Sequence, residues 1–168
     1  MRTTMLLAAT IVVFPLLTEA QAYRTSRAVT PPPVIRLDPV RVADALARAD
    51  VAWQAGRGME ARRIYQELIA EQREARAFAG TAMWRLALNY LYADDKARAA
   101  AQLDELSEHA AAFGDPALQL RATFESAVLW QQLKRPELVP ARIERVQDLL
   151  QSPAIPESEK EFVRARLK

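Results

Sequence analysis

Residues 83–106, MWRLALNYLYADDKARAAAQLDEL, decide the fold class. Met83, Leu86, Ala87, Tyr90 and Leu91 fall on one face of an amphipathic helix. Asp94-Asp95 interrupts the pattern, and Asp side chains commonly satisfy backbone amides in turns. Ala99, Leu103 and Leu106 then resume the helical spacing. The segment therefore reads as two helices joined by a tight turn. Composition agrees: alanine supplies 32 of the 168 residues, other strong helix formers follow, and β-branched residues are thin beyond the first third.

Toward the N-terminus, Asp38-Pro39 reads as a helix start. Asp accepts orphan amides there, and Pro at the first helical position loses no hydrogen bond. Val42, Leu46, Ala49 and Trp53 give this helix one apolar face, and Gly56-Arg57-Gly58 stops it. A second helix carries Ala61, Ile64, Tyr65, Leu68 and Ile69 before a polar stretch at residues 73–76. Toward the C-terminus, Gly114-Asp115-Pro116 pairs a helix-ending glycine with a second Asp-Pro start. The fifth helix holds Leu120, Phe124, Ala127, Val128 and Trp130, and Lys134-Arg135-Pro136 breaks it. A sixth begins no earlier than about Glu137, because Pro140 must lie in its first turn, and carries Val139, Ile143, Val146 and Leu150. Past Pro153 and Pro156 a short seventh helix is expected. Ser158 with Glu161 would form its capping box, and Phe162, Val163 and Leu167 its apolar stripe.

The elements recur at a regular interval. Asp38 and Asp115 are 77 residues apart, twice about 38.5. The small residue packing each turn recurs as Ala61, Ala99 and Val139, and the bulky one four later as Tyr65, Leu103 and Ile143. Units of this length built from two helices indicate a solenoid, in which each unit buries its face against neighbours. At these residues the chain resembles the tetratricopeptide repeat (TPR) family. Ala49, Gly56, Ala61, Tyr65 and Leu68 match in the first unit, while Ala45, Arg48 and Ala52 stand where large residues are usual. The second unit matches most fully, through Met83, Leu86, Ala87, Tyr90, Ala99, Leu103 and Leu106, with Asp94 in place of the turn glycine. The third matches at Ala127, Trp130, Val139, Ile143 and Val146 and departs at Thr123, Ser126 and Lys134. The resemblance covers about residues 38–151, in units longer than the usual 34 residues.

The resemblance implies an all-α, TPR-like right-handed solenoid of three helix hairpins plus a C-terminal capping helix, over residues 38–168. It implies a non-catalytic, protein-binding role, with the first, third and fifth helices lining a concave groove. Leu46, Asp50 and Trp53 fall on that side in unit one, Trp84, Leu88, Leu91 and Tyr92 in unit two, and Arg121, Phe124, Val128 and Gln131 in unit three. Trp53, Trp84, Leu88, Tyr92, Arg121, Phe124 and Val128 are the candidate partner-binding residues, an aromatic surface suited to an apolar peptide or partner helix. The same side chains have two other readings. They are core of the solenoid, or they are covered, by the terminal helix, by the proline tether or by a second copy in a self-associating structural subunit.

The N-terminus reads differently. Arg2, the apolar run at residues 5–17 and Ala20-Gln21-Ala22 fit an export signal cleaved before Tyr23, which places the protein in the periplasm or outside the cell. An uncleaved anchor is the alternative, although the run is short against the ~20 residues of a membrane span. Residues 23–37, with Pro31-Pro32-Pro33, read as an extended tether. The absence of cysteine excludes thiol catalysis and cysteine–zinc sites, one histidine excludes a two-histidine metal site, and four glycines leave no phosphate-binding loop. His109, beside Glu105 and Glu108 on one helix, reads as a solvated surface group. Arginines alternate with glutamates, as at Arg63/Glu67 and Glu144/Arg145, so the net charge of +2 reflects a salt-bridged face rather than a nucleic-acid stripe. The sequence thus predicts no catalytic centre, cofactor, metal or nucleic-acid partner, and no membrane contact after signal cleavage.

Overall fold

A computed structural model describes residues 37–167, so the expected export signal and all but the last residue of the tether lie outside the described residues. The described residues form α1 (Pro39–Gln54), α2 (Gly58–Glu74), α3 (Gly80–Tyr92), α4 (Lys96–Ala112), α5 (Pro116–Gln132), α6 (Pro140–Leu150) and α7 (Glu157–Arg166). A 3-10 turn, Pro136–Leu138, precedes α6, and there is no strand among the described residues. Each helix from α1 to α6 packs against the next in chain order, and α7 packs against α5. The described residues are all-α, as expected, with helices packed in neighbouring pairs.

Local chemistry sets the helix starts. Asp38 accepts from the Val40 amide at 3.0 Å, and Asp115 from the Leu118 amide at 3.0 Å, each with Pro at the first helical position. Asp95, read as a turn residue, also caps α4 by accepting from the Arg98 amide at 3.1 Å. The expected capping box at Ser158 and Glu161 does not form. Pro156 occupies the N-cap of α7 in extended conformation, and its carbonyl accepts from the Glu159 amide at 3.1 Å. The helix therefore starts before Ser158, which falls inside the first turn and caps nothing.

The helix ends repeat one geometry. Gly56, Arg76, Asp94, Gly114 and Lys134 have φ between 53° and 76°, the left-handed region. Beyond each, an amide reaches back across the last turn: Arg57 to Ala52 at 2.9 Å, Ala77 to Gln72 at 2.7 Å, Asp95 to Tyr90 at 3.0 Å, Asp115 to Ala110 at 2.9 Å and Arg135 to Trp130 at 3.0 Å. These are Schellman ends, which satisfy carbonyls that a helix otherwise leaves open. Gly56, Asp94 and Lys134 close α1, α3 and α5, whereas Arg76 and Gly114 close α2 and α4, so the sequence period is a period of turn geometry.

Two clusters form the core, and α5 contributes to both. The first holds Tyr65, Leu68, Met83, Leu86, Leu103 and Leu106 from α2, α3 and α4, with Ala122 and Leu129 from α5. The second joins Leu120 and Phe124 of α5 to Val146, Leu149 and Leu150 of α6, to Ile155, and to Val163 of α7. Of the stripe expected on α7, Val163 is buried while Phe162 and Leu167 are 37% and 39% exposed. A polar tie binds α4, α5 and α6 at the margin of the core. The Asp104 carboxylate accepts from Ser126, from the Trp130 indole at 2.9 Å and from Arg142 Nε at 2.8 Å.

Candidate functional site

Helices α1 and α3 enclose an open cavity of about 680 Å³, lined by Asp50, Trp53 and Gln54 and by Trp84, Arg85, Leu88 and Tyr92. A second cavity, of about 500 Å³, shares Trp84 and Arg85 and extends to Phe78, Thr81, Leu118 and Arg121, with Glu159 of α7 also in its lining. The two make one groove along α1, α3 and α5. Trp53 meets Tyr92 edge to face, with ring centroids 5.3 Å apart and planes at 71°. Tyr92 is 78% exposed, an unusual position for an aromatic ring.

The groove floor is polar and well partnered. Arg85 pairs with Asp50, which also accepts from the Tyr65 hydroxyl of α2 at 2.6 Å. Burial raises the pKa of Tyr65, so it stays a proton donor to that carboxylate. The one acid thereby ties three helices beneath the aromatic wall. Arg85 was not among the candidates, although Thr81, Arg85, Leu88 and Tyr92 share one helical face and that spacing is a signal for it.

The structure brings Trp53, Trp84, Leu88 and Tyr92 together and adds Arg121 through Trp84. Arg121 stands over the Trp84 ring at 5.3 Å and the Phe162 ring at 4.9 Å. It makes no hydrogen bond or ion pair among the described residues, and its Nε is buried without an acceptor. Phe124 and Val128 are not in the groove. Phe124 is 1% exposed and Val128 is half-buried, both in the second core cluster. The reason lies in the two apolar sides of α5. Ala117, Leu120, Phe124 and Val128 form one stripe and pack with α6 and α7, whereas Leu118, Ala122 and Leu129 pack with the first cluster.

His109 is the other departure from expectation. It is half-buried, its ring lies parallel to Phe78 with centroids 5.4 Å apart, and Phe113 packs at 4.6 Å. Its Nε2 accepts from the Ala79 amide at 2.9 Å, so the imidazole caps the start of α3 from 30 residues away. Desolvation by burial, aided by the nearby Arg73, lowers its pKa and favours the neutral form that this bond requires. Phe78 in turn lines the second cavity, so His109 supports a wall of the groove. Nothing in its helical neighbours marks this role, because the partner amide belongs to another helix.

Among the described residues no group of three or more His, Cys, Asp or Glu side chains is placed to hold a metal ion. No helix of the described residues is long and apolar enough to cross a membrane. What the groove offers is aromatic faces, aliphatic contact from Leu88 and Leu118, and guanidinium charge. No protein-family model, curated protein or solved structure matches the chain.

Proposed function

We propose that the protein is an exported, TPR-like adaptor that binds a partner peptide or helix in the groove along α1, α3 and α5, without catalysis. The observation that carries this reading is the continuous aromatic groove from Trp53 and Tyr92 through Trp84 to Arg121. Sequential packing of the helices and the recurring Schellman ends support a repeat architecture, in which helices of one class line a common surface. Large aromatic anchors around a concave surface are the composition of protein-binding hot spots. Placement in the cell envelope rests on residues 1–22 of the sequence.

The test is capture of an envelope partner by the immobilised chain, repeated with a Tyr92→Ala/Leu88→Ala variant. These side chains are exposed or half-buried, so the variant is expected to melt close to wild type and to lose its prey. Unchanged capture sinks the groove reading. A mass that rises with concentration in light scattering, and that the same variant returns to the monomer, would instead assign the face to self-association.

A further inference from the structure

We propose that Arg121 binds a carboxylate, and that the groove takes an acidic side chain of a peptide whose apolar residues fill the cavity lined by Trp53, Leu88 and Tyr92. This rests on the groove reading above. Aromatic rings attract a cation but give its N–H groups no acceptor, so the Trp84 and Phe162 rings leave the hydrogen bonds of Arg121 unmade. Its Nε is moreover buried without an acceptor. A guanidinium without an acceptor is unfavourably placed, and a carboxylate that meets its Nη groups from the cavity supplies a charge-assisted and commonly bidentate pair. Neighbouring arginines have no such vacancy. Arg85 is held by Asp50, and Arg166, which also stands over Phe162, is held by Glu125.

The acids near Arg121 narrow the ligand. Asp115 lines the same cavity but is engaged in capping α5. Glu159 lines it too and makes no ion pair with Arg121. A fixed negative charge there penalises a multiply charged anion more than a single carboxylate, and the planar guanidinium fork matches a carboxylate. The cavity is open and continues past Trp84 and Arg85, so the chain of the ligand runs through it. An internal Asp or Glu, rather than a chain terminus, is therefore the group expected.

The test is selection from a displayed library of random dodecapeptides on the full chain and on its Arg121→Gln variant. The wild-type pool should be enriched in Asp or Glu at a fixed distance from an aromatic or aliphatic residue. The best such peptide, synthesised, should bind R121Q about tenfold more weakly. A pool without acidic preference, or equal affinity for R121Q, overturns the carboxylate assignment while leaving an apolar groove. An empty selection overturns the groove reading and this inference together. If R121Q melts far below wild type, competition on wild type decides. Sodium acetate releasing the peptide more than sodium chloride of equal ionic strength supports the site, and equal release overturns it.

Discussion

Asp104→Asn tests whether one carboxylate ties α4, α5 and α6 together. Oδ1 accepts from Ser126 and from Arg142 Nε, and Oδ2 accepts from the Trp130 indole and from Arg142 Nη2. Asparagine keeps the shape but loses the charge, and it turns one acceptor into an amino group facing N–H donors. Hydrogen bonds to a charged group each contribute about 1.5–3 kcal/mol. The Asp104 and Arg142 side chains are 26% and 22% exposed, so water replaces part of what is lost. The net destabilisation expected is about 2–3 kcal/mol, below the cost of breaking a fully buried pair. In a domain this size that lowers Tm by about 6–15 °C, read by far-UV circular dichroism.

A pH arm makes the test sharper. Burial alone would raise the Asp104 pKa, but hydrogen bonds from Arg142, Ser126 and Trp130, with the Arg142 charge, outweigh it and hold the carboxyl below its ordinary value. A carboxyl whose pKa is lowered by folding stabilises the fold above its unfolded pKa, and that stability is lost as pH falls through the folded one. Wild type should therefore lose stability below the ordinary carboxylate range more steeply than D104N. A loss under about 0.5 kcal/mol in D104N, within the scatter of ordinary surface changes, would refute the tie. So would an acid limb identical in the two proteins.

Three further outcomes are expected. Lys134→Gly should stabilise the chain by about 0.5–1 kcal/mol in urea melts, because φ is 57° there and a side chain in the left-handed region costs about that much. His109 has a folded pKa below its usual 6.5, so its contribution to stability is complete above that pH and declines below it. Tm should accordingly fall on acidification from pH 6.5 more in wild type than in His109→Gln, whose side-chain oxygen can keep the acceptor role toward Ala79. Gly80→Ala places a methyl group against the Phe78 ring and 3.0 Å from Leu118, so Phe78 must leave its place. Peptide binding should weaken with a stability loss of about 1–2 kcal/mol, and unchanged binding would separate Phe78 from the groove.

The helices were legible because their signals are local. Met83, Leu86, Ala87 and Tyr90 are buried as their spacing predicts, although Leu91 at the end of that face is 37% exposed, and Ala61, Ile64, Tyr65, Leu68 and Ile69 are all buried on α2. Half of the groove was legible for the same reason, since Trp84, Leu88 and Tyr92 share one face of α3. Phe124 was misplaced because α5 carries apolar residues on two sides, and periodicity does not say which side meets solvent. The capping box failed because two signals competed for the start of α7, and Pro156 came first.

By itself the sequence determined the helical class, the Asp and Pro starts and the interval at which the chain turns. Each of these depends on side chains acting on their own backbone within one or two turns. Tertiary structure alone decided that Phe124 is core, that His109 caps a helix other than its own, and that Asp104 holds Arg142 across 38 residues. It also decided that Arg121, one arginine among 19, is stacked on aromatic rings with its Nε unpaired. Burial and pairing are properties of what surrounds a side chain, and that is assembled only when distant helices pack.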